Sequence, residues 1–144
     1  MVARDPGRLK VYLQPRALRK PIEKEFAKFL QDAEDVSRFA KLPEQFRFVI
    51  EYTDAAGNLR YYEPDFVAVT EEGIHHLIET KGSEDVNVSY KDRAASLWCE
   101  NATTLTGMMW CYVKVRQKDY NSLQPRLFAD LDVLSTAERP VAAK

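Results

Sequence analysis

The chain has 144 residues, of which 45% are hydrophobic and 30% are charged. These values are typical of one globular domain with its own core. No apolar run approaches the ~20 residues of a membrane-spanning helix, and the first residues lack the apolar segment of a secretory signal, so no membrane association is expected. The two cysteines, Cys99 and Cys111, are too few for a disulfide framework, which favours a cytoplasmic location.

Charge is unevenly distributed along the chain. The formal net charge is −1, yet residues 1–20 contain six basic residues and a single acidic one. A basic arm on an acidic body suits a partner that is contacted locally, or a ligand site that concentrates carboxylates; a solvated tail is the alternative. We therefore expect a basic arm over 1–20, a folded domain over 21–134 and a loose tail over 135–144.

The first predicted element is a helix that begins at Pro21, a residue suited to a first helical turn. Its apolar stripe recurs at helical spacing and comprises Ile22, Phe26, Phe29, Leu30 and Ala33. Glu34, Asp35 and Pro43 mark the end of this region. Alternating apolar and polar residues then predict strands over 46–53 and 59–63, separated by a turn over 54–58.

The second strand continues over 66–70 after a bend at Pro64, which cannot donate to a strand ladder, and a third strand is predicted over 74–81. A second helix begins near Ser89, with Asp92 as an approximate capping partner, and ends at Gly107. A strand follows over 109–116, then a helix over 117–132 interrupted near Pro125. The order is helix, three antiparallel strands, helix, strand, helix, which predicts an α/β fold with a mixed sheet flanked by helices.

Two acidic residues fall at the ends of neighbouring predicted strands. Asp65 follows Pro64, and Glu79 lies 14 residues later, across the turn that ends in Gly73. A three-residue loop with glycine in the left-handed conformation would pair Thr70 with Ile74, and therefore Asp65 with Glu79. Directly opposed residues share a sheet face with Cβ atoms ~5 Å apart. A two-residue turn would split the pair between faces.

Lys81 lies two residues beyond Glu79 and so shares its face, with Thr80 on the other. Two carboxylates this close repel each other unless a cation lies between them, and oxygen ligands of this kind suit Mg²⁺, with Mn²⁺ as a substitute. An adjacent ammonium could orient a water or stabilise charge developing on a phosphate. The pattern predicts metal-assisted phosphodiester hydrolysis; a routine surface Glu-x-Lys pair and a routine Pro-Asp turn are the alternative.

Several other residues are weaker candidates. Lys91 could reach the site or a phosphate, or lie along the surface, and Arg93 is either solvated or in contact with phosphate. His75 and His76 have no ligand partners at zinc spacing and are expected to pack. Aromatic and basic residues alternate on the last strand, from Trp110 to Arg116. They could contact nucleic acid, but the favoured interpretation is that the last helix packs over them.

Pro64 and Asp65, followed by Glu79 and Lys81, together resemble the motif of the PD-(D/E)xK nuclease superfamily. Residues 22–27, 34–36, 39–43, 64–66 and 79–82 are similar to the C-terminal endonuclease domain of type III restriction enzyme Res subunits, and the resemblance covers about 20–116. It implies a restriction-endonuclease-like αβββαβ core that cleaves double-stranded DNA with Mg²⁺. It also implies a helicase-like, ATP-dependent translocase region and a methyltransferase subunit as partners. No G-x-x-x-x-G-K-[ST] loop occurs in these 144 residues, so an excised domain or a stand-alone relative is expected.

The resemblance also implies a glutamate on the first helix near the metal. Glu23 matches that position best and Glu25 is its rival. The expected catalytic set is therefore Asp65, Glu79, Lys81 and Glu23, with the three acids as metal ligands and Lys91 and Arg93 as DNA contacts. Two other functions stay open: a non-catalytic DNA- or subunit-docking module, and a repair or RNA-directed nuclease on the same core.

Overall fold

A computed structural model describes residues 21–42, 47–82 and 88–134. Its helices are α1 (Pro21–Asp32), α2 (Val88–Thr106), α3 (Gln117–Leu123) and a short 3₁₀ helix (Phe128–Leu131). Its strands are β1 (Val36–Lys41), β2 (Ile50–Thr53), β3 (Leu59–Tyr62), β4 (Phe66–Thr70), β5 (His75–Lys81) and β6 (Trp110–Arg116). The predicted basic arm over 1–20 and tail over 135–144 lie outside the described residues.

The central sheet has four strands in the order β1-β4-β5-β6. The first three are antiparallel, and β6 pairs with β5 in parallel through the α2 crossover. One face packs against α1, α3 and the 3₁₀ helix in a core that includes Phe26, Phe66 and Phe128. The other face packs against α2 through Leu77, Ala95 and their neighbours. The predicted α/β fold with a mixed sheet flanked by helices is confirmed, and the αβββαβ order is present.

The identity of the first sheet strand differs from the prediction. Residues 36–41 form β1, whereas the predicted strands over 46–53 and 59–63 form a separate two-stranded hairpin, β2–β3. That hairpin packs on the α2 side through Ile50 and Tyr62. An irregularity between Val36 and Arg38 breaks the two-residue period of β1. The alternation that identifies a strand was therefore lost there.

The β4–β5 turn adopts the predicted geometry. Gly73 has a φ of 83° in the left-handed region, and the Thr70 amide donates to the Ile74 carbonyl at 3.0 Å. The ladder then runs from Val69 opposite His75 to Phe66 opposite Ile78. This is the register of a three-residue loop, and the prediction is confirmed as far as the ladder extends.

Helix α2 ends at Gly107, as expected. Gly107 has a φ of 74°, and its amide donates to the Thr103 carbonyl at 3.0 Å. The buried residues of the helix include Ala95 and Cys99, whereas Leu105 near its end is 85% exposed. No helix among the described residues is long and apolar enough to cross a membrane.

Candidate active site

Asp65 lies where β4 begins, at the end of the sheet. Its Oδ2 accepts hydrogen bonds from the amide and from the hydroxyl of Thr80, both at 2.8 Å. Its own amide donates to the Ile78 carbonyl at 3.0 Å, although Ile78 is paired with Phe66 in the ladder. Asp65 is therefore next to Glu79 in register but outside the regular ladder, and its carboxylate contacts Thr80, which was expected to lie behind the site.

Glu79 and Lys81 occupy alternate positions on β5, as predicted. Glu79 is buried with 6% exposure, and Lys81 is partly buried. In the parallel pairing with β6, Glu79 is opposite Lys114 and Lys81 is opposite Arg116. The end of β5 thus carries a buried carboxylate and a partly buried lysine on either side of Thr80, the residue that holds Asp65, with cationic residues on the neighbouring strand.

Glu23 lies in the first turn of α1 and is 4% exposed, whereas its rival Glu25 is exposed. Helix α1 packs against β1 and β5. Among residues 21–42, 47–82 and 88–134, no three His, Cys, Asp or Glu side chains are arranged to hold a metal ion together. Glu23 is thus buried close to the sheet, but the three predicted acids do not form a ready-made cage in the described part of the chain.

A buried polar network lies on the α2 side of the sheet. Both oxygens of Asp92 are engaged: Oδ1 accepts from the Tyr112 hydroxyl at 2.7 Å, and Oδ2 lies 2.8 Å from Lys114 Nζ. Lys114 is only 4% exposed. Burial and then the Glu79 charge raise the pKa of Tyr62, and burial raises that of Tyr112, so both phenols stay protonated. The predicted capping role of Asp92 is wrong because its carboxylate binds β6 instead.

Two residues beside Asp65 were not predicted as site residues. Lys41 Nζ lies 3.7 Å from Asp65 Oδ1, and the two side chains are each 10% exposed. Thr80 is fully buried. Lys41 belongs to the strand that the alternation did not reveal, so no sequence signal brought it to the site. Thr80 had a signal, since it lies between Glu79 and Lys81 and its hydroxyl can donate to a carboxylate.

The two predicted DNA contacts lie on α2. Lys91 is partly buried, and the Arg93 guanidinium lies over the Tyr90 ring at 4.9 Å. Arg93 also lines a groove of about 520 Å³ between α2 and β2, with Tyr52 and Trp98 among its other walls.

The alternating strip from Trp110 to Arg116 on β6 is covered by α2 rather than by the last helix. Trp110 and Tyr112 pack with Ala95 and Cys99 of α2.

The remaining ionisable candidates serve in packing. The His75 ring lies 4.7 Å from Trp110, and the His76 ring lies 4.3 Å from Phe128, on the opposite face. Burial lowers the pKa of His76 to about 4. Burial raises the pKa of the Cys99 thiol to about 12, so no thiolate nucleophile is present there at neutral pH. The expectation that both histidines pack is confirmed.

Comparison with known proteins gives one family. A family model described as an endonuclease domain matches residues 11–103. The chain belongs to this endonuclease-domain family. The match includes Glu23, Asp65, Glu79 and Lys81 and ends before β6. No curated protein and no solved structure gave a match.

Family membership and the mixed sheet agree with each other. The family supports a restriction-endonuclease-like nuclease, and an α/β sheet with one parallel strand pair is consistent with that fold. Within the described residues, Glu79 is buried and Lys81 partly buried at the carboxyl end of β5, inside the segment that the family model matches.

Proposed function

We propose that this endonuclease domain is a Mg²⁺-dependent DNA endonuclease of the PD-(D/E)xK type, acting as the cleavage module of a type III restriction enzyme. The observation that carries the proposal is the fixed Asp65 carboxylate beside the register position of buried Glu79. Lys81 follows two residues later at the same strand end. The proposed substrate is double-stranded DNA, and the proposed partners are an ATP-dependent translocase and a methyltransferase subunit.

The donor set fits a magnesium ion. Thr80 satisfies Oδ2 of Asp65 with two hydrogen bonds, which leaves Oδ1 as the oxygen available to a cation. Mg²⁺ usually keeps several waters and binds through one or two carboxylates together with substrate phosphates. Asp65 and Glu79 are therefore sufficient as direct ligands, and Glu23 is assigned to contact through water.

Each side chain then has a distinct task in phosphodiester hydrolysis. A bound Mg²⁺ would supply Lewis acidity toward the phosphate and lower the pKa of an attacking water. Asp65 and Glu79 are assigned to hold the metal; Thr80 fixes the Asp65 carboxylate with two hydrogen bonds, and Glu79 is buried. The Lys81 ammonium holds the water or stabilises negative charge on the phosphate. We assign Lys91 and Arg93 to contacts with the DNA backbone.

The direct test is plasmid cleavage by the purified chain with Mg²⁺ or Mn²⁺, against an EDTA control. We expect Asp65→Asn and Lys81→Met to lose about a thousandfold in rate while keeping a cooperative thermal transition. Retention of cleavage by either variant would contradict the assignment. A matched control is Lys118→Met, because Lys118 is exposed on α3.

Metal binding is tested separately, without relying on activity. Mn²⁺ should raise the melting temperature of the wild-type protein, because a ligand that binds only the folded state stabilises it. Asp65→Asn and Glu79→Gln should weaken this response. A wild-type protein that binds DNA without any response to Mn²⁺ would instead be a docking module.

A further inference from the structure

Lys41 is a basic side chain that the structure places within 4 Å of the Asp65 carboxylate. It is the last residue of β1 and is paired with Phe66, the residue after Asp65. Its Nζ lies 3.7 Å from Asp65 Oδ1, and its side chain is 10% exposed. The ammonium is thus held at the end of the sheet rather than in bulk solvent, beside the one Asp65 oxygen that Thr80 does not occupy.

Lys41 makes only long polar contacts with the residues that the structure describes. An ammonium has three donors. Within the described residues its polar contacts are the Leu42 carbonyl at 3.4 Å and Asp65 Oδ1 at 3.7 Å, and Nζ lies 5.7 Å from the Phe66 ring centre. Charge-assisted hydrogen bonds are typically ~2.7–2.9 Å long, so neither contact is a strong one. A nearly buried cation of this kind is suited to a further anionic partner.

We propose that Lys41 is a phosphate-binding residue of this site. In the absence of DNA its charge balances Asp65, and in the complex it contacts a phosphate oxygen of the bound strand. This inference rests on the proposed function, since it takes Asp65 as a metal ligand and DNA as the substrate. It also predicts that Lys41 opposes divalent-cation binding to free protein, because both positive charges face Oδ1.

The first experiment follows thermal stability of the DNA-free protein during a Mn²⁺ titration. Lys41→Met should lower the Mn²⁺ concentration at the midpoint by about fivefold or more, the lower end of ordinary coupling between two bound groups. Lys41→Arg keeps the charge and should keep the wild-type midpoint. Arg38→Met is the matched control, because Arg38 is an exposed cation on the same strand. A purely structural role would change the melting temperature without moving the midpoint.

The second experiment measures DNA affinity against salt concentration in the Lys81→Met background, in which cleavage is expected to be blocked. Removing one phosphate contact should reduce the slope of log affinity against log salt by about 1 for Lys41→Met, and Lys41→Arg should retain the slope. An unchanged midpoint and slope in Lys41→Met, equal to the Arg38→Met control, would overturn the proposal.

Failure of this proposal is distinguishable from failure of the proposed function. If wild-type protein neither cuts plasmid nor responds to Mn²⁺, the metal-dependent nuclease is wrong and the Lys41 assignment falls with it. If wild type does both and only the Lys41 effects are missing, only the Lys41 assignment is wrong. Lys41→Gln provides a second neutral side chain; unfolding of both neutral variants would assign Lys41 to fold stability and overturn the proposal.

Discussion

The Thr80 hydroxyl and the Thr80 amide both donate to the same oxygen of Asp65, each at 2.8 Å. This arrangement ties the start of β4 to the end of β5 beyond the last ladder pair, Phe66 and Ile78. Thr80 therefore fixes Oδ2 as the Asp65 oxygen that accepts hydrogen bonds from β5, while Oδ1 lies 3.7 Å from Lys41 Nζ.

Replacing Thr80 with valine should damage both stability and cleavage. Valine keeps the shape and the amide donor but loses a buried hydrogen bond to a carboxylate, which costs about 1.5–3 kcal/mol of unfolding free energy. The Asp65 carboxylate would then be held by one hydrogen bond fewer, and this looser position should lower the cleavage rate about tenfold. Urea denaturation and plasmid cleavage measure the two effects.

The same hairpin offers a matched control at its other end. The Thr70 hydroxyl is buried and has no hydrogen-bond partner among the described residues. Thr70→Val should therefore be neutral or stabilising, since it removes an unsatisfied polar atom. Equal losses in both variants would show that the Thr80 contact is not specific.

The Asp92–Lys114 pair should be a principal polar support for the α2 face. Their atoms lie 2.8 Å apart, and the side chains are 17% and 2% exposed. Asp92→Asn removes a charged hydrogen-bond partner 2.8 Å from the buried Lys114 ammonium, which should cost about 1.5–3 kcal/mol of unfolding free energy. Asp119→Asn is the control, because its pair with Arg116 at 3.4 Å is about one-third exposed and contributes at most about 1 kcal/mol. Comparable destabilisation of the two variants in urea would contradict this reading.

The parts of the site that follow from local rules could be predicted from the sequence. Gly73 determines the loop, and the loop determines the β4–β5 register as far as the pair of Phe66 and Ile78. Asp65 lies just beyond that ladder, so its hydrogen bonds to Thr80 could not be predicted from the register. Lys41 could not be placed, because the irregularity in β1 concealed the strand that carries it.

The Asp92–Lys114 pair could not be predicted for a different reason. It joins α2 to β6, and periodicity identifies a helix face without showing which strand that face contacts. The same argument explains the separate β2–β3 hairpin: alternation predicts its strands correctly but contains no information about which sheet they join.

Loss of the Tyr112 hydroxyl should lower the free energy of unfolding, whereas loss of the Tyr62 hydroxyl should leave it unchanged or raise it. The Tyr112 hydroxyl donates to Asp92 at 2.7 Å, so Tyr112→Phe should cost about 1.5–3 kcal/mol. The Tyr62 hydroxyl has no hydrogen-bond partner among the described residues, so Tyr62→Phe should be neutral or stabilising. Thermal denaturation of the two variants is the measurement, and strong destabilisation by Tyr62→Phe would reveal a partner for that hydroxyl.

His76 should make the protein less stable as the pH falls below about 6.5. Burial, followed by the nearby His75, lowers the pKa of His76 from 6.5 to about 4 in the folded state. The unfolded chain therefore binds a proton first, and stability present above pH 6.5 is lost as the pH falls toward 4. The expected loss from this residue between pH 7.5 and pH 5 is about 2 kcal/mol.

Urea denaturation at those two pH values tests the assignment to His76. His76→Gln should lose most of the pH dependence of the unfolding free energy, because it has no imidazole that can be protonated beside the Phe128 ring. His75→Gln is the matched control on the opposite face and should keep most of it, since burial is the larger cause of the His76 shift. An unchanged pH dependence in His76→Gln would assign the acid sensitivity to the carboxylates instead.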